Sequence, residues 1–517
     1  MAIRSLITNH LRNNSYCHKL QFEARNLFKS LLPISKASTK YKYIHSSSSS
    51  SRLETEILRL KSPSRVLQDW INNGNKVKLS QLNLISKQLL KSKRYKQALE
   101  ILQWMENQNN FRITPGHHAL MMESIVKVNG LNKAGEYFER IPGSGSKKAA
   151  SLPLLHGYVK ERDISKAESF MIKLSSSGLL VTPHPYNEMM KLYIALSQYE
   201  KVPLVIAEMK RNKLCRNVLS YNLWMGAFGE VFEVAKAEMV YKEMVSDENV
   251  EVGWSTLASL ANVYIKAGFV DKALLVLKDA EMKLSTNGRL GYFFLITLYS
   301  SLKNKEGVLR LWEASKAVGG RIPCADYMCV ISCLVKVGDL VAAEQVFAEW
   351  ETNCFKYDIR VSNVLLGAYV RNGLMGKAES FHLHTVERGG CPNYKTWEIL
   401  MEGWVKSQKM DKAIDAMKKG FSVLKVERCD WRPSHSILMA IAEHFEKHGN
   451  FEDANHYIKA VHGLGVATLP LYKLFLRMYL NAQRPAWDIL KMMEKDRIEK
   501  DRIELDDETS ALVALNS

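Results

Sequence analysis

Eight cations recur at nearly one interval along this 517-residue chain: Lys91, Lys127, Lys160, Lys266, Lys336, Arg371, Lys406 and Lys447. The interval is about 35 residues or close to a multiple of it. A cation repeated in register is chemistry for a polyanion, because each Lys or Arg can neutralise one phosphate and release its counterion. A compatible reading places the same residues at helix C-termini, where Lys meets unpaired carbonyls and the negative end of the helix dipole. The overall balance agrees with the first reading. Lys plus Arg number 72 against 54 Asp plus Glu, a formal charge of +18 with a sequence pI near 9.3. That excess suits nucleic acid, an acidic membrane surface or the interior of an organelle reached down an electrical gradient.

Other reactive residue types form no constellation. The eight cysteines, Cys17, Cys215, Cys324, Cys329, Cys333, Cys354, Cys391 and Cys429, include no C-x-x-C. Cys329 and Cys333 could share a helix face, but no nearby His completes four ligands, so small buried thiols in a reducing compartment are expected. His117-His118 is read as structural rather than metal-binding. Gly143-Ser144-Gly145-Ser146-Lys147-Lys148 is a polar loop and lacks the spacing of a phosphate cradle. Neither H-E-x-x-H nor G-x-S-x-G occurs, nor H-x-E with a downstream P-C-x-x-C. No enzyme, metal or cofactor is expected.

What must position the cations is an internal repeat. Pro185-Tyr186-Asn187-Glu188-Met189-Met190 and Ser220-Tyr221-Asn222-Leu223-Trp224-Met225 set a register. Steps of about 35 residues reach Asn83, Ala119, Leu152, Asn187, Asn222, Ala258, Phe293, Met328, Asn363, Glu398, Met439 and Lys473. One residue earlier an aromatic stands in six units: Tyr186, Tyr221, Tyr292, Tyr327, Trp397 and Tyr472. Fifteen residues later Ala stands in nine: Ala98, Ala134, Ala167, Ala237, Ala273, Ala343, Ala378, Ala413 and Ala454. The cations lie eight residues after the register position, about 80° around a helix from it. Each unit therefore reads as two amphipathic helices, with a turn such as Lys266-Ala267-Gly268 or Arg371-Asn372-Gly373 between them. Ala falls where the two backbones approach. Prolines at the joints, Pro115, Pro183, Pro185, Pro323, Pro392, Pro433 and Pro470, fit helix first turns. One helix pair cannot bury its own apolar face, but stacked pairs can. The expected fold is all-α, a right-handed superhelical α-solenoid of about 12 helix-turn-helix repeats with a long concave surface.

With a 35-residue helix-turn-helix period, a Tyr-Asn at the start of the first helix and a basic-then-Gly turn, the chain resembles pentatricopeptide repeat proteins, and within them the P class of land plants. The resemblance implies binding of single-stranded RNA at approximately one base per repeat. It implies that the register residue and the last residue of the unit choose the base. Carried over, the pairs are Asn83 with Thr114, Ala119 with Lys147, Leu152 with Thr182, Asn187 with Asn217, and Asn222 with Gly253. They continue as Ala258 with Gly288, Phe293 with Pro323, Met328 with Asp358, Asn363 with Asn393, Glu398 with Ser434, and Met439 with Thr468. Asn with Asn resembles the pyrimidine-preferring combination, so the base-reading candidates are Asn187, Asn217, Asn222, Met328, Asp358, Asn363 and Asn393. The eight cations become phosphate-contact candidates flanking that line. Most units lack one polar member of the pair, so readout is expected at a few units only. The competing expectation is a solenoid adaptor that binds the mitochondrial ribosome or another protein, with Phe293, Met328 and Met439 as apolar contacts.

The ends of the chain read differently. Residues 1–52 carry nine basic residues against one acid, Glu23, and finish in the run Ser46 to Ser51. Basic, Ser-rich and acid-poor is the composition of a transit peptide. We expect residues 1–45 to be a mitochondrial transit peptide, rather than a chloroplast one, and 46–75 a linker and lead-in. Residues 76–500 are the repeat array and 501–517 a charged tail. Six extra residues between Glu398 and Met439 read as a lengthened second helix or loop, with Trp431 in the core. A monomer is expected, and no apolar run is long enough to span a membrane.

Overall fold

The computed structural model describes residues 53–57, 62–108, 113–424, 431, 433–448 and 451–496. The expected transit peptide, the charged tail, Cys17 and Cys429 lie outside them. Among the described residues every regular element is a helix, and none is long and apolar enough to cross a membrane. The chain divides into two compact units, one up to Ser285 and one from Thr286.

The first unit holds six helix pairs: Leu79–Lys91 with Tyr95–Glu106, Pro115–Val128 with Leu131–Arg140, Ser144–Glu161 with Ile164–Ser176, Pro183–Ala195 with Lys201–Arg211, Val218–Glu230 with Val234–Val245, and Trp254–Ala267 with Val270–Met282. The second unit holds six more: Leu290–Ser301 with Lys305–Lys316, Cys324–Val337 with Leu340–Asn353, Ile359–Arg371 with Met375–Glu387, Tyr394–Lys406 with Met410–Ser422, His435–His448 with Phe451–Gly463, and Leu469–Asn481 with Trp487–Lys495. Within each unit the first helices pack on one another in a row, and each second helix contacts its own first helix and the next one. This is the stacking that lets short amphipathic pairs share one apolar core.

The repeated columns explain why. All nine column alanines, from Ala98 to Ala454, are fully buried. A methyl is all that fits where a second helix crosses its partner. Four of the five column tyrosines bury their rings and keep a polar tip paired. Tyr186 donates to Glu208 at 3.4 Å, Tyr221 to Asp247 at 2.8 Å, Tyr327 to Glu349 at 3.5 Å and Tyr472 to Asp496 at 2.6 Å. Each tyrosine thus ties the first helix to an acid at or just past the end of the second. Gly268 ends its helix in the left-handed region, with φ at 81°, where a side chain would be strained.

A second recurring contact joins successive pairs. Glu168 accepts from Tyr193 Oη at 2.9 Å and Lys201 Nζ at 3.0 Å. Glu238 does the same with Tyr264 and Lys272, and Glu344 with Tyr369 and Lys377. Glu379 accepts from Trp404 Nε1 at 2.7 Å and from Lys412 at 3.0 Å. The carboxylate belongs to one second helix, and the aromatic and lysine to the next pair. The aromatic donor makes this more than an exposed ion pair, which by itself is worth ~0–1 kcal/mol.

Several expectations are corrected. The stretch Gly143 to Lys148 is not a loop: Ser144 opens an 18-residue helix, and Gly143, at φ 71°, makes the reversal into it. The lead-in contains helix Pro63–Asn72, whose Leu67 is fully buried against the first pair, and a helical turn at 53–57 that buries Leu53 and Ile57. The second helix before the six extra residues stops at Ser422 and is not lengthened; 425–430 lie outside the described residues. Trp431 is core, 1% exposed, with Nε1 donating to Glu398 at 3.1 Å. Of the six described cysteines only Cys333 is buried; Cys215 and Cys391, in joints between helices, are exposed.

Candidate nucleic-acid interface

The last residue of a unit is the N-cap of the next first helix at most joints. Thr114, Thr182, Asn217, Gly253, Pro323, Asp358 and Asn393 all stand there. A cap side chain accepts from an otherwise orphaned backbone N–H of the first turn. Asn217 accepts from Ser220 N at 2.9 Å, and Asn393 from Thr396 N at 3.1 Å. Lys147 and Gly288 are exceptions, because the helices there begin at Ser144 and at Leu290, the latter capped by Arg289.

Both Asn/Asn pairs are brought into direct contact. Asn187 Nδ2 donates to Asn217 Oδ1 at 3.1 Å, and Asn363 Nδ2 to Asn393 Oδ1 at 3.2 Å. Asn187 and Asn363 are buried, 1% and 7% exposed, while the capping asparagines are half-buried. The other pairs are not joined in this way. Asp358 turns to Arg360, with Oδ2 2.6 Å from Nη2, and that hydrogen bond holds its carboxyl below the usual range; Met328 is half-buried. Gly253, the cap residue paired with Asn222, has no side chain to offer. Phe293 is buried, packed on Trp312. Glu398 pairs with Lys395 at 2.8 Å.

Three contacts join neighbouring rungs of the cation column. Lys127 lies beside Lys160 of the next pair; burial, and after it the Lys160 charge, hold its ammonium below the usual lysine range. Lys266 Nζ reaches Glu230, the residue at the same position of the preceding pair, at 2.5 Å. Lys336 Nζ donates to Ser301 Oγ, again the preceding rung, at 2.9 Å. Lys91, Lys160, Arg371 and Lys447 are exposed at or near the ends of their helices. Lys406 lies 2.7 Å from Glu402 within its own helix. Adjacent cations thus meet at Lys127 and Lys160. One rung, Glu230, is an acid that neutralises its neighbour.

One buried cluster beside the row was not foreseen. Glu188 is 7% exposed, 3.0 Å from His156 Nδ1 and 2.5 Å from Lys191 Nζ. Burial works to raise its carboxyl, but the His156 hydrogen bond and the Lys191 charge outweigh it and leave it at about 2. His156 and Lys191 are 35 apart, four residues after Leu152 and Asn187, so the register did hold the signal. His117 and His118 are both buried. Burial, then the His118 charge, lowers His117 to about 4, and His118 Nδ1 lies 2.9 Å from Tyr137 Oη. They are core residues that stay neutral.

The model of the PPR repeat matches residues 219–248, 326–355 and 361–389, each nearly coincident with one helix pair. A pentatricopeptide repeat-containing protein of Arabidopsis thaliana is 58% identical over 451 residues, covering 86% of this chain and 91% of that protein. A mitochondrial pentatricopeptide repeat-containing protein of the same plant is 29% identical over 451 residues, covering 87% and 91%. Among solved structures, the pentatricopeptide repeat protein PPR10 from maize aligns over 90% of this chain and 70% of its own, at 16% identity and a TM-score of 0.47.

Proposed function

This chain belongs to the pentatricopeptide repeat family, and from that premise we propose that it holds single-stranded RNA along the first-helix rows. In this reading it is a P-class member working in the mitochondrion, by binding rather than catalysis, and it affects the processing, stability or translation of a transcript. The observation that carries the reading is the cation ladder. Lys127, Lys160, Lys266 and Lys336 meet the neighbouring rung in space, and each of the eight cations stands eight residues after a register residue. A row of cations beside a line of readable side chains is what a backbone-tracking groove needs. The two Asn/Asn pairs add base contacts at two units, so affinity comes mainly from phosphates and discrimination from a few positions. The mitochondrial assignment rests on the basic, acid-poor first 52 residues and on the mitochondrial relative.

The test is titration of the purified chain against random and homopolymer RNAs at several salt concentrations. Lys336→Ala with Lys406→Ala should weaken every single strand and flatten the salt slope by about two. If the double variant binds every RNA as the parent does, the column is a row of helix-end lysines and this reading fails.

A further inference from the structure

We infer that Ser220 and Thr396 are specificity-determining residues, because their hydroxyls occupy the oxygens of the buried register amides and leave only N–H groups to meet a base. The inference deepens the reading of Asn187/Asn217 and Asn363/Asn393 as base-contacting pairs and rests on it.

The orientation follows from one backbone group. Ser220 N–H can only donate, so the cap atom 2.9 Å from it must be the carbonyl oxygen of Asn217. The Asn187 atom 3.1 Å from that same oxygen must then be its Nδ2. That leaves Asn187 Oδ1 as a buried acceptor in need of a donor, and Ser220 Oγ supplies it at 2.8 Å. The second pair repeats every step: Thr396 N to Asn393 Oδ1 at 3.1 Å, Asn363 Nδ2 to the same oxygen at 3.2 Å, Thr396 Oγ1 to Asn363 Oδ1 at 2.9 Å. Two knots some 175 residues apart, in separate compact units, are the same device.

A third copy lacks one member and shows what that member does. Asn222, Gly253 and Thr256 occupy the same three positions. Without a cap amide, Asn222 Oδ1 and Thr256 Oγ1 are both buried and neither has a hydrogen-bond partner. The device needs all three residues.

The consequence is chemical. Both amide oxygens of a complete knot are consumed internally, so it presents only N–H donors. Cytosine and uracil share a carbonyl acceptor, O2, at one end of the Watson–Crick edge. Guanine carries an N–H2 donor at that place and adenine a C–H. A donor held at that place therefore finds an acceptor on both pyrimidines and none on either purine. Without the hydroxyl, Asn187 Oδ1 would be left as an acceptor beside the N–H donors, and the discrimination would fade.

The experiment measures the affinity of the full chain for a 20-nucleotide oligouridine relative to oligoadenosine, with the salt slope recorded alongside. Ser220→Ala should lower the uridine-to-adenosine ratio by about fivefold and leave the slope alone. Ser220→Thr keeps the hydroxyl and should keep the ratio. Gly253→Asn should raise the ratio by completing the third knot. Its backbone is extended and a Cβ there meets nothing within 4 Å. A parent that prefers uridine while Ser220→Ala changes nothing, or Ser220→Thr that fails to restore the ratio, overturns this inference alone. A parent that binds RNA without preferring uridine overturns it together with the reading of the pairs.

Discussion

Asn363 and Glu188 show how much a single position can carry in this array, and in opposite ways. Asn363→Ala removes the donor to Asn393 and the acceptor for Thr396 Oγ1. It should relax a pyrimidine preference at one nucleotide, a difference of ~1–3 kcal/mol, and leave the salt slope unchanged, read from the same homopolymer titrations. Glu188 is a matter of pH. Its carboxyl is held at about 2 against an ordinary 4.5, so its pairing stabilises the fold fully above pH 4.5 and the contribution fades as pH falls toward 2. The shift corresponds to roughly 3 kcal/mol. Glu188→Gln should lower the urea midpoint at pH 7, where Lys191 loses its partner, and flatten the midpoint's decline between pH 4.5 and pH 2. If parent and variant decline in parallel over that window, the cluster does not hold a charged carboxylate.

At the scale of the helix, the tight column is where stability is decided. Ala343 is fully buried between its own pair and the next. Ala343→Leu must push those helices apart, and overpacking of this kind costs ~1–3 kcal/mol. Because repeat arrays are stabilised by neighbouring interfaces, loss of amide protection should concentrate in Cys324–Val337 through Met375–Glu387 rather than spread evenly. Uniform loss of protection would argue against a nearest-neighbour array. The same column explains what was legible beforehand. Ala, Tyr and Pro repeat because backbone approach, a tied aromatic and a helix start recur at fixed places, so spacing alone revealed twelve pairs and their register. Only the opening of Ser144–Glu161 was hidden, because its Gly- and Ser-rich residues mimic a loop; neighbouring first helices pack against it. The knots were hidden for another reason. Asn187, Asn217 and Ser220 are separated by 30 and 3 residues, and nothing in their types says that all three meet. The Glu–Tyr–Lys contacts lay unseen in the same way, although Glu168, Glu238, Glu344 and Glu379 all stand one residue after a column alanine.

On the whole chain, two basic features compete for the role of RNA contact: the ladder on the first helices and the first 52 residues, with nine cations and one acid. Both would attract a polyanion, and net charge alone cannot separate them. Their expected salt dependence can. A ladder residue contributes only when it faces a phosphate, so its loss removes about one counterion, whereas a basic arm would add up to eight net charges to the slope. The apolar register residues bear on the adaptor alternative. Phe293 is buried, and Met328 and Met439 are half-buried, so they do not form the exposed apolar patch that an adaptor surface would need. We therefore expect residues 53–517 to bind single-stranded RNA with the affinity and salt slope of the full chain. We also expect the protein recovered from plant mitochondria to begin near Ile44–Ser51. A slope that collapses when residues 1–52 are removed would transfer the RNA contact to the arm and leave the ladder a structural feature. A full-length form beginning at Met1 outside organelles would remove the address reading as well.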